Sequence, residues 1–155
     1  MRKALRWSVV GLMVMAAGLV TAVALAQSQT QKLVEQGTAL MEKQQFDEAL
    51  ATFQKALKEE PKSAVIYNLM GMAYRFKYLQ VRNQELRQKE IAAFQKAIEI
   101  DPNFWVALIN LGVTYYQSGD KTKAAPLFKK ALSLKPDHPE KAMFEKMIQE
   151  GGEKP

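Results

Sequence analysis

The chain has 155 residues, of which 48% are hydrophobic and 25% are charged, so it can bury one core beneath an ordinary solvated surface. It contains no cysteine, which excludes disulfides, thiolate metal sites and cysteine-linked haem. The formal net charge of +6 includes Arg2, Lys3 and Arg6, and without them 19 basic residues face 16 acidic ones, an excess too small to indicate nucleic-acid binding.

The first 26 residues have the pattern of an export signal or a membrane anchor. Three positive charges precede an apolar stretch over residues 7–20, and the triplets 22–24 and 24–26 place alanine at both positions that precede a signal cleavage site. Residues 7–26 could also cross a bilayer uncleaved, because a membrane-spanning helix needs about 20 residues. Both alternatives place the remainder of the chain outside the cytoplasm, because the positive end stays inside. The expected location is periplasmic or secreted after cleavage, or anchored in the inner membrane.

After residue 30, one pattern of residues occurs three times. In each copy a phenylalanine is followed by alanine three residues later and by proline five residues after that, with the phenylalanines at Phe53, Phe94 and Phe128. A glycine beside large apolar residues precedes each copy, at Gly37, Gly71 and Gly112. The pattern resembles the tetratricopeptide repeat family over about residues 30–136. The resemblance implies an all-α fold, namely a right-handed helix-turn-helix solenoid of three repeats. Stacked helix pairs can bury an apolar face that a single pair leaves exposed.

The predicted repeat domain covers residues 27–155, after the N-terminal segment 1–26. Its repeats are expected at about 30–63, 64–104 and 105–138, with helices at about 30–43, 46–59, 64–80, 84–99, 105–118 and 121–134. A last helix at 139–149 carries apolar residues on one stripe, and it is predicted to cap the third repeat.

The second repeat is longer than the first. Gly37 and Gly71 are separated by the standard period of the family, whereas the separation between Gly71 and Gly112 exceeds that period by seven extra residues. The extra residues fall between the two helices of the second repeat, where residues 75–88 contain no Gly or Pro, and we expect both helices to be extended by them. Glu90 also stands where the family usually has a small residue.

No constellation of residues in the sequence suggests catalysis. His138 is the only histidine, lies in a connector between helices and is expected to be solvated. Without a second histidine or any cysteine there is no metal motif, and no Gly-rich phosphate loop is present. The chain is therefore predicted not to be an enzyme, with no catalytic residue, no metal and no cofactor.

The resemblance implies that the first helix of each repeat lines a concave face to which partner proteins bind. The predicted groove combines positions from all three first helices: Val34, Val65, Asn68, Leu69, Met72, Arg75, Phe76, Val106, Ile109, Asn110, Val113 and Tyr116. Most are apolar although they point away from the core, and such a patch usually marks a binding site. Arg75, Lys77 and Arg82 are expected to form a basic rim. The family's clamp for chaperone tails is not expected, because Val34, Thr38 and Val106 replace polar residues that it needs.

These patterns predict an exported scaffold or adaptor of the bacterial type, which holds an apolar peptide or helix of another protein in its concave groove. One alternative is a homo-oligomeric envelope scaffold, in which a second copy covers the patch. Another is a non-catalytic accessory subunit of an envelope enzyme or cytochrome complex. A third is that the C-terminal helix or the extended second repeat covers the patch within the chain. No nucleic-acid partner is expected, and membrane attachment would occur through residues 7–26.

Overall fold

The computed structural model describes residues 29–152, so the predicted export signal or anchor lies outside the described residues. Within this range the chain forms seven α-helices and no β-strand. They are α1 (helical from residue 29 to 42), α2 (Phe46–Glu59), α3 (Ala64–Val81), α4 (Gln84–Ile100), α5 (Trp105–Gln117), α6 (Lys121–Leu134) and α7 (Lys141–Glu150). The predicted all-α helical repeat is confirmed, and the helix bounds differ from the predicted ones by at most two residues.

Each repeat is a pair of helices held together by a glycine and a phenylalanine. Phe53, Phe94 and Phe128 in the second helices are completely buried. A Cβ atom added to Gly71 would lie 2.5 Å from the Phe94 ring, and one added to Gly112 would lie 2.8 Å from the Phe128 ring. Both distances are shorter than van der Waals contact, so the ring occupies the volume that any side chain at the glycine would need. The three glycines are therefore required by packing between the two helices of a repeat.

The seven extra residues of the second repeat lengthen both of its helices, as the sequence predicts. Helix α3 has 18 residues and α4 has 17, whereas α2 and α6 each have 14. The two long helices are joined by a tight turn in which Arg82 adopts a left-handed conformation with φ of 54°. Asn83 then caps α4, because its side-chain oxygen accepts a hydrogen bond of 2.8 Å from the backbone N–H of Glu85. A polar cap thus replaces the Gly or Pro that a turn of this kind often contains.

Helix α7 closes the third repeat. The Phe144 ring stacks on Phe128 with centroids 5.0 Å apart and planes 11° apart, and both Phe144 and Ile148 are buried. After the helix, Gly151 approaches the backbone of α6 so closely that a Cβ atom there would lie 2.6 Å from the Lys121 carbonyl oxygen. These contacts place an apolar face of α7 over the end of the core.

The connector before α7 differs from the prediction at His138. This side chain is half-buried rather than solvated, because its ring lies 5.6 Å from the Trp105 ring and 5.0 Å from the Phe144 ring. Its Nδ1 atom accepts a hydrogen bond of 3.1 Å from the backbone N–H of Glu140. His138 therefore helps to attach the capping helix to the third repeat.

Candidate binding groove

Helix α3 carries a row of apolar side chains on its outward face, which we call the α3 stripe. Its members are Val65, Leu69, Met72, Phe76 and Leu79. Three of them are open to solvent, with 52% of Val65, 40% of Phe76 and 43% of Leu79 exposed. Leu69 also packs against the core shared with α1 and α2. A helix on the surface of a globular protein normally has a single apolar face, which packs in the core, and does not expose a second apolar face.

A shallow pocket lies at the C-terminal end of the α3 stripe. It has a volume of about 410 Å³ and is lined by Met41, Gln44, Phe46, Phe76, Leu79 and Gln80. The Phe76 ring stacks on Phe46 of the first repeat, with centroids 5.9 Å apart. Leu79 and Gln80 belong to the extension of α3, so the seven extra residues build one wall of this pocket. The predicted set of groove residues did not include Leu79, although it continues the spacing of the stripe.

The predicted basic rim is wrong at Arg75. Its Nε atom donates to Glu90 Oε1 at 2.8 Å, and its two Nη atoms donate to the side-chain and backbone oxygens of Asn110 at 3.1 and 2.5 Å. The guanidinium therefore points toward α4 and α5 and links them to α3 through hydrogen bonds. The position of Arg75 on α3 suggested that its side chain points into solvent. Its partners could not be read from that position, because they come from other helices that are distant in sequence.

Glu90 is the centre of a buried cluster of charged and polar groups. Its carboxylate is completely buried and also accepts hydrogen bonds from Arg87 at 2.7 Å and from the Thr114 hydroxyl at 2.6 Å. Thr114 in turn accepts from Arg75, and Asn110 donates to Asn68 at 3.0 Å. We call these six residues the Glu90 cluster. No buried side-chain nitrogen or oxygen in residues 29–152 lacks a hydrogen-bond partner, which is the condition under which a buried charge is tolerated.

The predicted groove residues on α5 serve mainly to hold the capping helix. Ile109, Val113 and Tyr116 are half-buried and pack against the cluster that includes Phe144 and Ile148. The Tyr116 hydroxyl donates a hydrogen bond of 2.6 Å to Glu150, and this bond raises the pKa of Tyr116 above its ordinary value. Among the remaining predicted positions, Val34 packs against the core that includes Phe53, and Val106 is half-buried. The apolar surface that stays most open therefore lies on α3 and not on α5.

The other two residues of the predicted basic rim differ from each other. Lys77 forms an ion pair with Asp47 of the first repeat. Arg82 is exposed, with its guanidinium 5.8 Å from the centroid of the Tyr78 ring, and Arg87 lies over the same ring at 3.9 Å. The hydrogen bond from Arg87 lowers the pKa of the Tyr78 hydroxyl. Of the three predicted residues, only Arg82 presents an exposed charge at the end of the groove.

Residues 29–152 contain neither a metal-binding cluster nor a membrane-spanning helix. This range contains no group of three or more His, Asp or Glu residues placed to hold a metal ion. None of its helices combines the length and the apolar composition needed to cross a bilayer.

Comparison with known proteins agrees with the geometry of the repeats. Residues 14–116, more than half of the chain, match the family model described as Tetratricopeptide Repeats-Sensor. The chain belongs to the tetratricopeptide repeat family. Residues 87–154 of this repeat protein also match the family model described as Regulator of microtubule dynamics protein 1-3.

The curated relatives of this tetratricopeptide repeat chain are much longer proteins. Antiviral innate immune response effector IFIT1 of Homo sapiens is 32% identical over 104 residues, which cover 58% of this chain and 22% of the relative. Mitochondrial import receptor subunit TOM70 of Rattus norvegicus is 32% identical over 96 residues, which cover 62% of this chain and 15% of the relative. The chain therefore spans less than a quarter of the length of either relative.

Solved structures share the tetratricopeptide repeat fold over most of the chain. The Arabidopsis OM64 TPR domain has a TM-score of 0.67 at 22% identity and covers 81% of this chain and 98% of that one. The first TPR of Spaghetti (RPAP3), bound to the HSP90 peptide SRMEEVD, has a TM-score of 0.66 at 17% identity, covering 79% and 93%. The human IFIT1 dimer with m7Gppp-AAAA has a TM-score of 0.65 at 26% identity, covering 77% and 28%.

Proposed function

We propose that this chain is a non-catalytic adaptor that binds a segment of another protein along the α3 stripe. The observation that carries the proposal is the exposure of Val65, Phe76 and Leu79 on one face of a helix whose other face is already buried. Apolar side chains collected on one open surface favour association, because covering them removes apolar area from water. The adjoining pocket offers a place for one large side chain of the partner.

The twelve positions predicted as a groove do not all belong to the contact surface in this proposal. Val65, Leu69, Met72 and Phe76 form the contact surface, to which Leu79 is added. Asn68, Arg75 and Asn110 fix the spacing of α3 and α5 through the Glu90 cluster. Ile109, Val113 and Tyr116 hold the capping helix, Val34 packs against the core around Phe53, and Val106 is half-buried.

Protein binding is better supported than RNA binding. The structure of Spaghetti (RPAP3) contains an HSP90 peptide, whereas the structure of IFIT1 contains m7Gppp-AAAA. In this chain, Arg75 and Arg87 point at the buried Glu90 carboxylate and are not available to phosphates. The exposed surface next to them is apolar, which suits a protein segment and not a phosphate backbone.

We also propose that the adaptor works outside the cytoplasm, as an exported protein of the bacterial type. The support is the basic, apolar and small-residue succession of residues 1–26. N-terminal sequencing of the protein from its native cell is expected to begin at Gln27 or Leu25. Recovery of intact Met1 in the membrane fraction would favour the anchored alternative, and recovery of intact Met1 in the cytosol would contradict the proposed location.

The binding role can be tested with a matched pair of double variants. Phe76→Glu with Leu79→Glu places charges on the α3 stripe, and Leu134→Glu with Met143→Glu places the same charges on exposed apolar residues of the third repeat and its cap. Wild type and the control pair should capture the same protein from extracts of the native cell, and the stripe pair should lose it while keeping wild-type circular dichroism.

Light scattering of the same three proteins addresses the alternatives. An oligomer in the wild type that becomes a monomer only in the stripe pair would identify the homo-oligomeric scaffold. A captured redox enzyme or cytochrome would identify the accessory subunit. Equal capture by the stripe pair and the wild type would contradict the proposed surface.

A further inference from the structure

The spacing of the α3 stripe specifies the shape of the partner. Its five residues are separated by four, three, four and three positions, which is the spacing of a coiled-coil seam. We infer, on the basis of the proposed function, that the occupant is an amphipathic α-helix with basic residues along the flank that faces α1. The inference adds to the proposed function a chemical description of the partner that binds the α3 stripe.

A helix suits this seam better than an extended segment does. The seam residues recur about every 5 Å along α3, since each residue of a helix advances about 1.5 Å. Apolar residues of a second helix recur at the same interval, so the two rows can interdigitate over the whole stripe. Side chains on one face of an extended strand recur about every 6.6 Å and fall out of step within a few residues. From Val65 to Leu79 the seam is about 21 Å long, which corresponds to about four helical turns of the occupant.

The charge on one wall of the groove specifies the occupant's flank. Glu35 and Glu42 on α1 stand one repeat period before Leu69 and Phe76, so they occupy the same register on the neighbouring helix. Both are exposed. Glu35 accepts a hydrogen bond from the neutral Gln31, and Glu42 has no charged or polar partner among residues 29–152. Their separation in sequence is one heptad, the interval at which flanking charges recur beside a seam.

The opposite wall carries no matching charge. The residues of α5 at the same register, one lengthened repeat after Leu69 and Phe76, are the neutral Asn110 and Gln117. Arg75, which stands between the stripe and α5, is neutralised by Glu90. The exposed charge that follows the length of the seam is therefore acidic and lies on the α1 side only. This reverses the basic rim expected from the sequence, and it favours lysine or arginine on the partner.

Three synthetic peptides of about 20 residues can test both parts of the inference. The first carries leucine at the seam positions and lysine at the flanking positions. The second replaces each lysine with glutamate, and the third is the first with a central proline that interrupts the helix. Fluorescence anisotropy should show the lysine peptide binding to the wild type at least about tenfold more tightly than either of the other two.

Charge reversal on the protein provides the matched control. Glu35→Lys with Glu42→Lys should abolish the preference for the lysine peptide or invert it. Glu48→Lys with Glu59→Lys, which alters two exposed carboxylates on α2, should leave the preference unchanged. The preference of the wild type should also weaken as salt is raised, because exposed charges are screened.

The possible outcomes test separately the charge of the partner's flank, its helical form and the binding surface. Equal affinity for the lysine and glutamate peptides would overturn the charge assignment, and equal affinity for the interrupted peptide would overturn the helical occupant. No binding of any peptide, with the native partner still captured through the α3 stripe, would overturn the inference and leave the proposed function standing. No binding of any peptide together with loss of stripe-dependent capture would overturn both.

Discussion

The second and third repeats solve the same packing problem in different ways. Ala124 in the third repeat and Glu90 in the second both stand four residues before the buried phenylalanine of their repeat, and both are completely buried. At Ala124 the second helix fits closely because the side chain is small. At Glu90 a charged side chain occupies the equivalent place and is accommodated by Arg75, Arg87 and Thr114.

The difference shows what the seven extra residues make possible. They lengthen α3 and α4, so that Arg87 enters α4 within hydrogen-bond distance of Glu90 and stacks on Tyr78 of the extended α3. A buried ion cluster of this kind adds little net stability, since desolvation offsets the attraction, but it is strongly directional. The second repeat therefore fixes the relative positions of α3, α4 and α5 through hydrogen bonds, whereas the third repeat relies on apolar and aromatic contacts.

The largest expected effect is the removal of the central carboxylate. Glu90→Ala leaves two arginines facing each other without a counter-charge, and we expect the free energy of unfolding to fall by about 3–5 kcal/mol. Chemical denaturation monitored by circular dichroism would measure this loss. Ala124→Glu should be comparably destabilising, because the third repeat has no buried arginine pair to receive the carboxylate.

A triple variant tests whether charge, and not shape alone, is responsible. Arg75→Met with Arg87→Met and Glu90→Ala removes every charge of the cluster, and we expect it to recover most of the stability that Glu90→Ala loses. If the triple variant is as unstable as the single one, the cluster contributes packing volume more than charge compensation, and the contrast between the two repeats is wrong.

The glycines of both repeats should be intolerant of larger side chains, because each packs against a phenylalanine ring. Gly112→Leu pushes a side chain into the Phe128 ring, and Gly71→Ala places a Cβ atom against the Phe94 ring. We expect losses of about 2–4 kcal/mol for Gly112→Leu and about 1–3 kcal/mol for Gly71→Ala. Gly119→Ala is the comparison without a clash, since a Cβ atom there would meet no atom within 4 Å apart from its chain neighbours, and any loss of stability would come from its positive φ. Melting of Gly112→Leu at the wild-type temperature would refute the repeat register.

A smaller effect is expected in the connector that attaches the cap to the third repeat. His138→Ala removes the ring contacts with Trp105 and Phe144 and the hydrogen bond from the Glu140 N–H. We expect a loss of about 1 kcal/mol. Thermal melting monitored by tryptophan fluorescence measures it, and Pro139→Ala in the same connector is the control for local chain effects. An unchanged melting temperature in His138→Ala would mean that the ring is a passive surface group.

The smallest expected effect is a dependence of the cap on pH. Lys121, followed by Tyr116, hydrogen-bonds Glu150 and lowers its pKa below the ordinary value of 4.5. A folded pKa below the unfolded one contributes stability above about pH 4.5, and this contribution is lost as the pH falls through the lowered pKa. Glu150→Gln should therefore melt slightly below the wild type at pH 7, and this difference should shrink as the pH falls through the lowered pKa of Glu150. A difference that stays constant as the pH is lowered would assign the effect to packing.

The helices could be predicted from the sequence because their determinants are local. Gly37, Phe53 and their counterparts recur at fixed spacing, and each pair meets within one repeat. The longer α3 and α4 were predictable for the same reason, since inserted residues without Gly or Pro favour continuation of the helix on each side of the turn. The capping helix followed from one apolar stripe ending in Phe144 and Ile148.

The groove could be predicted only in part. Val65 and Phe76 are exposed as their register implies, and Leu79 could have been found by continuing the seam spacing into the extension. Arg75 was misplaced because its orientation depends on Glu90 and Asn110, which come from other helices. His138 was expected in solvent because its ring neighbours belong to other elements. Trp105 lies at the start of α5 and Phe144 lies in α7. Pairings between elements of this kind are set by tertiary packing and leave no periodic signal.

The most direct test of the α3 stripe as a protein-binding surface is site-specific photo-crosslinking in the native cell. A photoreactive amino acid replaces Phe76 in one version of the protein and the exposed Lys130 of α6 in another. We expect one discrete cross-linked product from position 76, made with another protein, and no such product from position 130. Equal products from both positions, or a product from position 130 alone, would contradict the α3 stripe as the surface to which a partner binds.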